Sequence, residues 1–371
     1  MLGPDLALLL ARTNPGNCVL WEPTNIGRSR YPLGVASITR TRYAKSGDVD
    51  IAYQVLGEGP IDLLLYTGGT IPIDCVDEEP SMARFQRRLA SFGRLLRFDR
   101  RGVGLSDRGS ASVHPTTEQW MQDGIAVLDA VDSERAAVFA MLVGSPEGLM
   151  LAATHPERVS GLVVVNGAAR ATWAPDYPDG LPQSLVDSSR VLNAESDAVE
   201  QGYNALAVFA PSVANDPAFR TWWDRAGNLG ATPAMARAIQ AVVFETDVRN
   251  LLPLIRVPTL IIHRADNPFF SVGHGRYLAE HIPGAKRVEL SGADLLYWVG
   301  DTGPMLDEIE EFLTGVRGGS GAERVLTTVL FTDIVGSTDR AAQLGDGRWR
   351  DLLDRHDQSV RTQIERFRAE R

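Results

Sequence analysis

The chain has 371 residues, of which 44% are hydrophobic and 23% charged, so it can bury one large core or two modest ones. A net charge of −10 without a long basic run disfavours binding to nucleic acid or to an anionic membrane surface. The two cysteines, Cys18 and Cys75, form neither a metal-ligand cluster nor a disulfide framework, which fits a reducing compartment.

The N-terminal segment does not have the pattern of a secretion signal. Asp5 precedes a short apolar run and Arg12 follows it, whereas a signal peptide begins with basic residues. No segment reaches the ~20 apolar residues of a membrane span. We therefore predict a cytoplasmic protein with no membrane span, and we interpret residues 1–40, which lack a clear period, as a poorly ordered leader.

From residue 41 onward, apolar runs that end in turn residues alternate with amphipathic segments. The predicted strands are Val49–Gly57, Ile61–Gly69, Arg94–Asp99, Ala136–Leu142, Ser160–Gly167, Pro258–His263 and Ala285–Leu290. The predicted helices are Met82–Gly93, Thr116–Asp132, the segment after Leu142, Gly273–Ile282 and Met305–Gly315. This alternation indicates an α/β fold with a doubly wound, mostly parallel sheet.

Two segments interrupt or end this alternation. Residues 168–252 are helical in pattern and rich in tryptophan, which predicts a helical cap inserted over the sheet. Residues 316–323 have the glycine-rich composition of a flexible linker. The pattern of residues 324–371 predicts one strand, a turn and one amphipathic helix. These elements are too few to bury a core alone, so we interpret this last unit as incomplete.

Several motifs between residues 42 and 315 resemble the α/β-hydrolase superfamily, in its epoxide-hydrolase-like and haloperoxidase-like branch. They are FDRRGVGLSDR (Phe98–Arg108), AATHPERVSGLVVVNG (Ala152–Gly167), VPTLIIHRADNP (Val257–Pro268) and the segment Ala279–Asp301. The resemblance implies a nucleophile on a sharp strand-to-helix turn, followed in chain order by an acid and a histidine. The charged loop Asp99–Asp107 is expected to be structural and is assigned no chemistry.

The three positions that match the family's catalytic residues hold other side chains. The nucleophile position falls on Leu142, the acid position on Asn267, beside Asp266, and the histidine position on Leu295. No histidine lies between His281 and His356, so no base is present where the family places one. The leading hypothesis is therefore a catalytically silent hydrolase fold that senses a ligand or regulates an attached domain.

Two alternatives remain open. One alternative is that Ser145 is a displaced nucleophile of an active esterase, with His263 as its base. The helix-start pattern instead favours Ser145 as the cap of the next helix, and His263 is then expected to pack in the core. The other alternative is a vestigial product without activity.

If the domain keeps a pocket, the backbone N–H groups of Gly69 and Val143 are candidates to bind a small apolar or carboxylate ligand. The glycines there can equally serve only to permit a tight turn. No cofactor is expected for this domain.

The motif VLFTDIVGST (Val329–Thr338) resembles the start of class III adenylate and guanylate cyclase domains, as found in multidomain cyclases of actinobacteria. That resemblance implies that Asp333 and the backbone of Ile334 bind a metal ion, and that Gly336, Ser337 and Thr338 face phosphates. It also implies Mg²⁺ or Mn²⁺ and a homodimer in a complete cyclase. The second metal-binding carboxylate of that family does not follow, so this chain is not expected to form a cyclic nucleotide.

Overall fold

The computed structural model describes residues 39–108, 115–187, 205–267, 269–316, 345, 347–350 and 352–356. The chain divides into two units, Met1–Gly318 and Gly319–Arg371. In the second unit the described positions are all helical. The predicted linker after Val316, the proposed metal ligands Asp333 and Ile334 and the phosphate-facing residues 336–338 lie outside the described residues.

The first unit is built on one eight-stranded sheet with strand order β1-β2-β4-β3-β5-β6-β7-β8. The strands are β1 (Arg42–Ser46), β2 (Val49–Leu56), β3 (Asp62–Tyr66), β4 (Arg94–Phe98), β5 (Ala136–Met141), β6 (Val159–Val165), β7 (Thr259–Arg264) and β8 (Lys286–Leu290). Strands β3 to β8 pair in parallel, whereas β2 pairs antiparallel with both β1 and β4. The predicted mostly parallel sheet is therefore confirmed.

Strand β1 is an addition to the predicted elements. It forms a hairpin with β2, and Gly47 in the two-residue turn adopts a φ of 62°, a conformation that favours glycine. Three of its five residues are exposed, because β1 is an edge strand. The sequence RYAKS therefore shows only a weak apolar alternation.

Eight α-helices have both ends within the described part of this unit, and residues 183–187 are also helical. They are α1 (Pro80–Ala90), α2 (Thr117–Ala130), α3 (Ser145–Thr154), α4 (Ala205–Phe209), α5 (Pro217–Gly230), α6 (Pro233–Glu245), α7 (Val272–His281) and α8 (Gly303–Thr314). One core cluster joins the sheet to Leu128 of α2, Leu149 of α3 and Leu278 of α7. A second core cluster joins the sheet to Phe85 of α1 and Ile309 of α8. Helices thus cover both faces, as a doubly wound sheet requires.

The segment between β6 and β7 occupies the place of the predicted cap. Its first part, up to residue 187, is mainly loop held by isolated bridges such as Thr172 to Leu181 and Ala174 to Tyr177. Helices α4, α5 and α6 and a 3₁₀ helix, Arg249–Leu254, follow. The opening part of the predicted helical cap is instead a loop, because Pro175, Pro178 and Gly180 disfavour helix there.

None of the helices in the described residues is long and apolar enough to cross a membrane. The predicted cytoplasmic location and homodimer are not tested by this structure and stay predictions.

Candidate active site

Strand β5 ends in a sharp turn that leads into α3. Leu142 begins a short 3₁₀ helix, Leu142–Gly144, and its φ is 52°, a left-handed conformation that costs a non-glycine residue about 1–2 kcal/mol. This is the strained strand-to-helix turn that the motif comparison predicted. The Leu142 side chain packs against both an interior cluster beneath it and an apolar cluster that contains Leu295 and Phe270.

Ser145, the candidate displaced nucleophile, is fully buried at the start of α3. Its hydroxyl donates a hydrogen bond of 2.6 Å to the carbonyl oxygen of Leu142. The N-cap of α3 is Gly144, and no side chain caps this helix, so the prediction that Ser145 acts as the N-cap is wrong. A Cβ on Gly167 would lie 2.0 Å from the Ser145 Oγ, which shows how tightly the hydroxyl is enclosed.

Asn267, at the acid position, fastens two loops together. Its Nδ2 donates to the Ala293 carbonyl at 2.5 Å, and its Oδ1 accepts from the backbone N–H groups of Phe269 at 3.0 Å and Phe270 at 2.6 Å. The neighbouring Asp266 instead accepts from the backbone N–H of Gly292 at 2.9 Å. The arrangement needs both a donor and an acceptor on residue 267, which an amide supplies and a carboxylate does not.

Leu295, at the histidine position, is buried, and its backbone is held on both sides. Its N–H donates to the Phe209 carbonyl at 2.8 Å, and its carbonyl accepts from Asn166 Nδ2 at 2.9 Å. Leu295 packs with Phe270 and Leu142. The fold therefore brings the three predicted positions together, and apolar side chains fill the space between the turn and the cap.

The loop that contains Gly68 and the candidate donor Gly69 packs directly on the turn. Gly68 has a φ of 65°, and a Cβ there would lie 2.0 Å from the backbone nitrogen of Gly144. Val143 lines a first cavity with Leu142, and Gly69 lines a second cavity, so the two predicted donors do not share one space. Each cavity has room for about one water molecule.

A buried ion pair joins the two cavities, and sequence reasoning missed it. Glu147 lines both cavities, and its Oε1 accepts from Arg100 Nη1 at 3.1 Å. The Arg100 guanidinium lies 4.0 Å above the Trp120 ring and also donates to the Gly68 carbonyl. Burial raises the pKa of Glu147, and the positive charge of Arg100 opposes that shift.

One atom of each ion-pair partner has no hydrogen-bond partner among the described residues: Glu147 Oε2 and Arg100 Nε. Buried polar atoms are nearly always paired with protein, water or ligand, so these two atoms are candidates to contact a polar molecule. The sequence analysis assigns no chemistry to the loop of Arg100 and does not include Glu147 among the candidate site residues. The only sequence signal was a glutamate directly after Pro146, at the beginning of a buried helix.

Asp99 lies at the rim of the second cavity. It accepts from the backbone N–H groups of Ile73 at 2.9 Å and Leu105 at 3.0 Å. Burial raises the pKa of Asp99 to about 7.

At the first cavity, Thr117 of α2 and Thr246 of the cap share a hydrogen bond of 2.8 Å that connects the cap to the body of the domain.

His263, the candidate base, is buried on β7 and does not line either cavity. Its Nε2 is hydrogen-bonded to the Phe270 carbonyl at 3.0 Å, and burial lowers its pKa. Ser145 and His263 are therefore not brought together as a nucleophile and base in this structure.

Comparison with known proteins identifies the family to which these features belong. A profile of the alpha/beta hydrolase fold matches residues 89–301. A putative carbamate hydrolase RutD from Caulobacter is 29% identical over 251 residues, covering 65% of this chain and 87% of the relative. Its counterpart from Azorhizobium caulinodans is 30% identical over 255 residues, covering 67% and 89%. A 3-oxoadipate enol-lactonase from Acinetobacter baylyi is 26% identical over 249 residues, covering 63% and 82%.

Solved structures agree on the architecture. A hydrolase from Pseudomonas aeruginosa superposes with a TM-score of 0.60 at 25% identity, covering 75% of this chain and 99% of the hydrolase. The predicted α/β-hydrolase fold is thereby confirmed for the first unit.

The comparisons overturn the leading functional hypothesis. The relatives are named as carbamate hydrolases and a lactonase, which indicates an active hydrolase and contradicts both a catalytically silent domain and an adenylate cyclase role. The family match gives no support to a fused cyclase. The leading hypothesis treated the absence of a nucleophile, an acid and a histidine at Leu142, Asn267 and Leu295 as the absence of hydrolysis. These three residues exclude only the mechanism that uses such a triad.

Proposed function

We propose that this chain, which belongs to the α/β-hydrolase fold family, hydrolyses a small carbonyl compound of the carbamate, lactone or ester class. The names and coverage of its relatives support this class of reaction. The single structural observation that carries the proposal is the buried Glu147–Arg100 pair beside the strained turn, with one unpartnered polar atom on each residue.

In the proposed mechanism Glu147 acts as the general base. A water molecule attacks the carbonyl carbon and gives a proton to Glu147 Oε2, while the carbonyl π electrons move to the oxygen. That oxygen accepts a hydrogen bond from the backbone N–H of Val143 at the helix start. The tetrahedral intermediate then collapses, the bond to the leaving oxygen or nitrogen breaks, and the leaving group takes the proton back from Glu147.

Arg100 and the burial of the pair set the strength of this base. Burial raises the pKa of Glu147 above its ordinary value, which makes it a stronger base, while the positive charge of Arg100 opposes that shift and favours the carboxylate form. Stacking on Trp120 and the bond to Gly68 hold the guanidinium in place. Glu147 is thus fixed between the two cavities.

The substrate enters when the cap moves away from the turn. The cavities are too small for an ester or carbamate, and the bond between Thr117 and Thr246 spans the boundary that must open. Displacement of the cap would also withdraw Val243 and Ala171, which line the first cavity. The first cavity would then open, while the second, which no cap residue lines, stays behind Trp120 and Glu147.

The test is hydrolysis of p-nitrophenyl acetate, δ-valerolactone and p-nitrophenyl N-methylcarbamate by the wild type and two variants. We expect turnover of at least one substrate by the wild type and a loss of kcat of about 10²–10⁴-fold in Glu147→Gln. Ser145→Ala is the matched variant, because Ser145 lies two residues away on the same helix, and it should keep most of the activity. Circular dichroism establishes that both variants fold.

Two results would overturn parts of the proposal. Labelling by a fluorophosphonate that disappears in Ser145→Ala would assign the nucleophile to Ser145 and refute the role of Glu147. Absence of turnover of all three substrates by the folded wild type would refute the hydrolase function itself.

A further inference from the structure

The two cavities beside the turn have different walls. The first is lined by four residues of the cap region, Ala168, Ala171, Val243 and Thr246. In the described part of the chain, no residue between positions 168 and 252 lines the second cavity. A movement of the cap therefore changes the walls of the first cavity directly and leaves those of the second in place.

The second cavity is also the larger of the two, and it is lined by more ionisable groups. Asp99, Arg100 and Glu147 line it, and each of these residues is less than a tenth exposed. The space open to the centre of a water molecule is about 20 Å³ in the second cavity and about 10 Å³ in the first. Polar cavities of this size hold ordered water, whereas apolar cavities stay dry. The second cavity is therefore the better site for water.

The residues that line the second cavity range from exposed to buried. Gly69 is exposed, and Thr67 and Ile71 are partly buried. A Cβ on Gly69 would have its nearest neighbouring atom, the Ile71 nitrogen, 3.9 Å away, so no side chain packs tightly against this residue. Arg100 and Glu147, in contrast, are buried. The lining thus runs from a residue that contacts solvent to the proposed base.

The carboxylate of Glu147 has one oxygen available to a further donor. Its Oε1 accepts from Arg100 Nη1 at 3.1 Å, whereas its Oε2 has no hydrogen-bond partner among the described residues. An ionised carboxylate can only accept, so the partner of Oε2 must be a donor. A water molecule supplies an O–H donor, and the second cavity has room for about one.

We propose that the second cavity is a water site, in which one water molecule donates to Glu147 Oε2 and through which water reaches this carboxylate by a route separate from that of the substrate. The use of this water in hydrolysis rests on the function proposed above, but the water site itself does not. The substrate carbonyl binds instead in the opened first cavity, which Val143 lines. Glu147 lines both cavities, so it borders the water on one side and the carbonyl carbon on the other.

A water site of this size makes the reaction selective for water over alcohols. The water oxygen bonds to the carbonyl carbon, its proton moves to Glu147 Oε2, and the leaving group takes that proton when its own bond to carbon breaks. An alcohol that followed the same steps would receive the acyl group and form an ester. Methanol has one carbon atom more than water, and the second cavity has room for about one water molecule. The protein should therefore hydrolyse its substrate without transferring the acyl group to methanol.

The first test locates the water in a high-resolution crystal structure of the wild type. We expect ordered density in the second cavity, at a hydrogen-bond distance of about 2.6–3.2 Å from Glu147 Oε2. A second cavity without density, or ordered water in the first cavity alone, would overturn the proposal. This measurement does not depend on turnover, so it decides the water site even if none of the three test substrates is hydrolysed.

The second test uses whichever of the three test substrates the wild type hydrolyses, in dilute methanol and with the uncatalysed reaction subtracted. It measures the fraction of product that is the methyl ester. If methanol and water reached Glu147 equally well, this fraction would follow their mole fractions in the solvent. In the wild type we expect about tenfold less methyl ester than that, because a close-fitting site discriminates against one extra carbon by at least this factor. Methyl ester in the proportion set by the mole fractions would refute the separate water route.

Two matched valine variants identify the cavity through which water arrives. Of the two cavities, Val103 lines only the second and Val243 only the first. Val103→Ala widens the water site and should raise the fraction of methyl ester by up to about tenfold, whereas Val243→Ala should leave it as in the wild type. A larger fraction in Val243→Ala, or equal fractions in all three proteins, would contradict entry through the second cavity. Circular dichroism establishes that both variants fold, and a ratio of products is independent of their total activity.

Discussion

Replacing Asn267 with aspartate restores the carboxylate that the family resemblance places there, and it should destabilise the protein. The variant loses the donor to the Ala293 carbonyl and instead places a carboxylate oxygen about 2.5 Å from that carbonyl oxygen. Leaving a buried acceptor without its donor costs about 1–3 kcal/mol, and the buried charge adds to this. The two N–H groups of Phe269 and Phe270 still bind the other oxygen and offset part of the loss. We expect a net cost of about 2–3 kcal/mol at pH 7.5.

The loss of stability in Asn267→Asp should become smaller as the pH falls. A protonated carboxyl can donate to Ala293 as the amide does, so the folded state raises the pKa of the new aspartate above its unfolded value of about 3.9. Between those two pKa values the folded state binds more protons than the unfolded state, and the variant gains stability relative to the wild type as the pH falls.

Urea unfolding followed by tryptophan fluorescence at pH 7.5 and 5.0 measures both effects. Asn267→Ala is the matched control, because it removes the same hydrogen bonds without adding a titratable group, and its deficit should not depend on pH. An Asn267→Asp variant as stable as the wild type at pH 7.5 would refute the structural role of this amide. A deficit that grows at pH 5.0 would refute the proposed protonation.

Two further predictions concern the residues around the turn. Arg100→Leu leaves Glu147 as an unpaired buried charge and should cost about 3–5 kcal/mol in denaturant unfolding at pH 7.5; a variant within 1 kcal/mol of wild type would show that the pair is not buried as described. Gly68→Ala forces a Cβ to within 2.0 Å of the Gly144 nitrogen and should cost about 2–4 kcal/mol, whereas Gly69→Ala, whose nearest atom is 3.9 Å away, should cost less than about 1 kcal/mol. Equal melting temperatures for the two alanine variants would contradict the close approach of this loop.

The sequence predicted the sheet well because buried strands leave a strong mark on it. Strands such as β5 (AAVFAM) are buried throughout and appear as unbroken apolar runs between turn residues. Strand β1 was missed because an edge strand buries only one side, so its apolar alternation is weak. The turn at Leu142 was located from motif spacing alone, but its φ of 52° required the structure.

The candidate site was harder to predict because its parts are distant in the chain. Arg100 and Glu147 are separated by 47 positions, and each has an ordinary structural interpretation in its own segment. Only the packing of the Gly68 loop against the turn places them together in a buried site. The roles of Asn267 and Asn166 likewise depend on which backbone groups happen to face their amides.

The small size of the two cavities has a kinetic consequence. If the ligand binds only after the cap opens, the observed association rate should rise with ligand concentration and then level off at the opening rate. A cap that is open 1% of the time weakens the apparent affinity about 100-fold relative to the open form. A substitution that breaks the contact between Thr117 and Thr246 would then tighten binding without touching the ligand. Affinity in this protein would depend on the fraction of molecules with an open cap as much as on contacts with the ligand, and the opening rate would limit how fast the ligand binds.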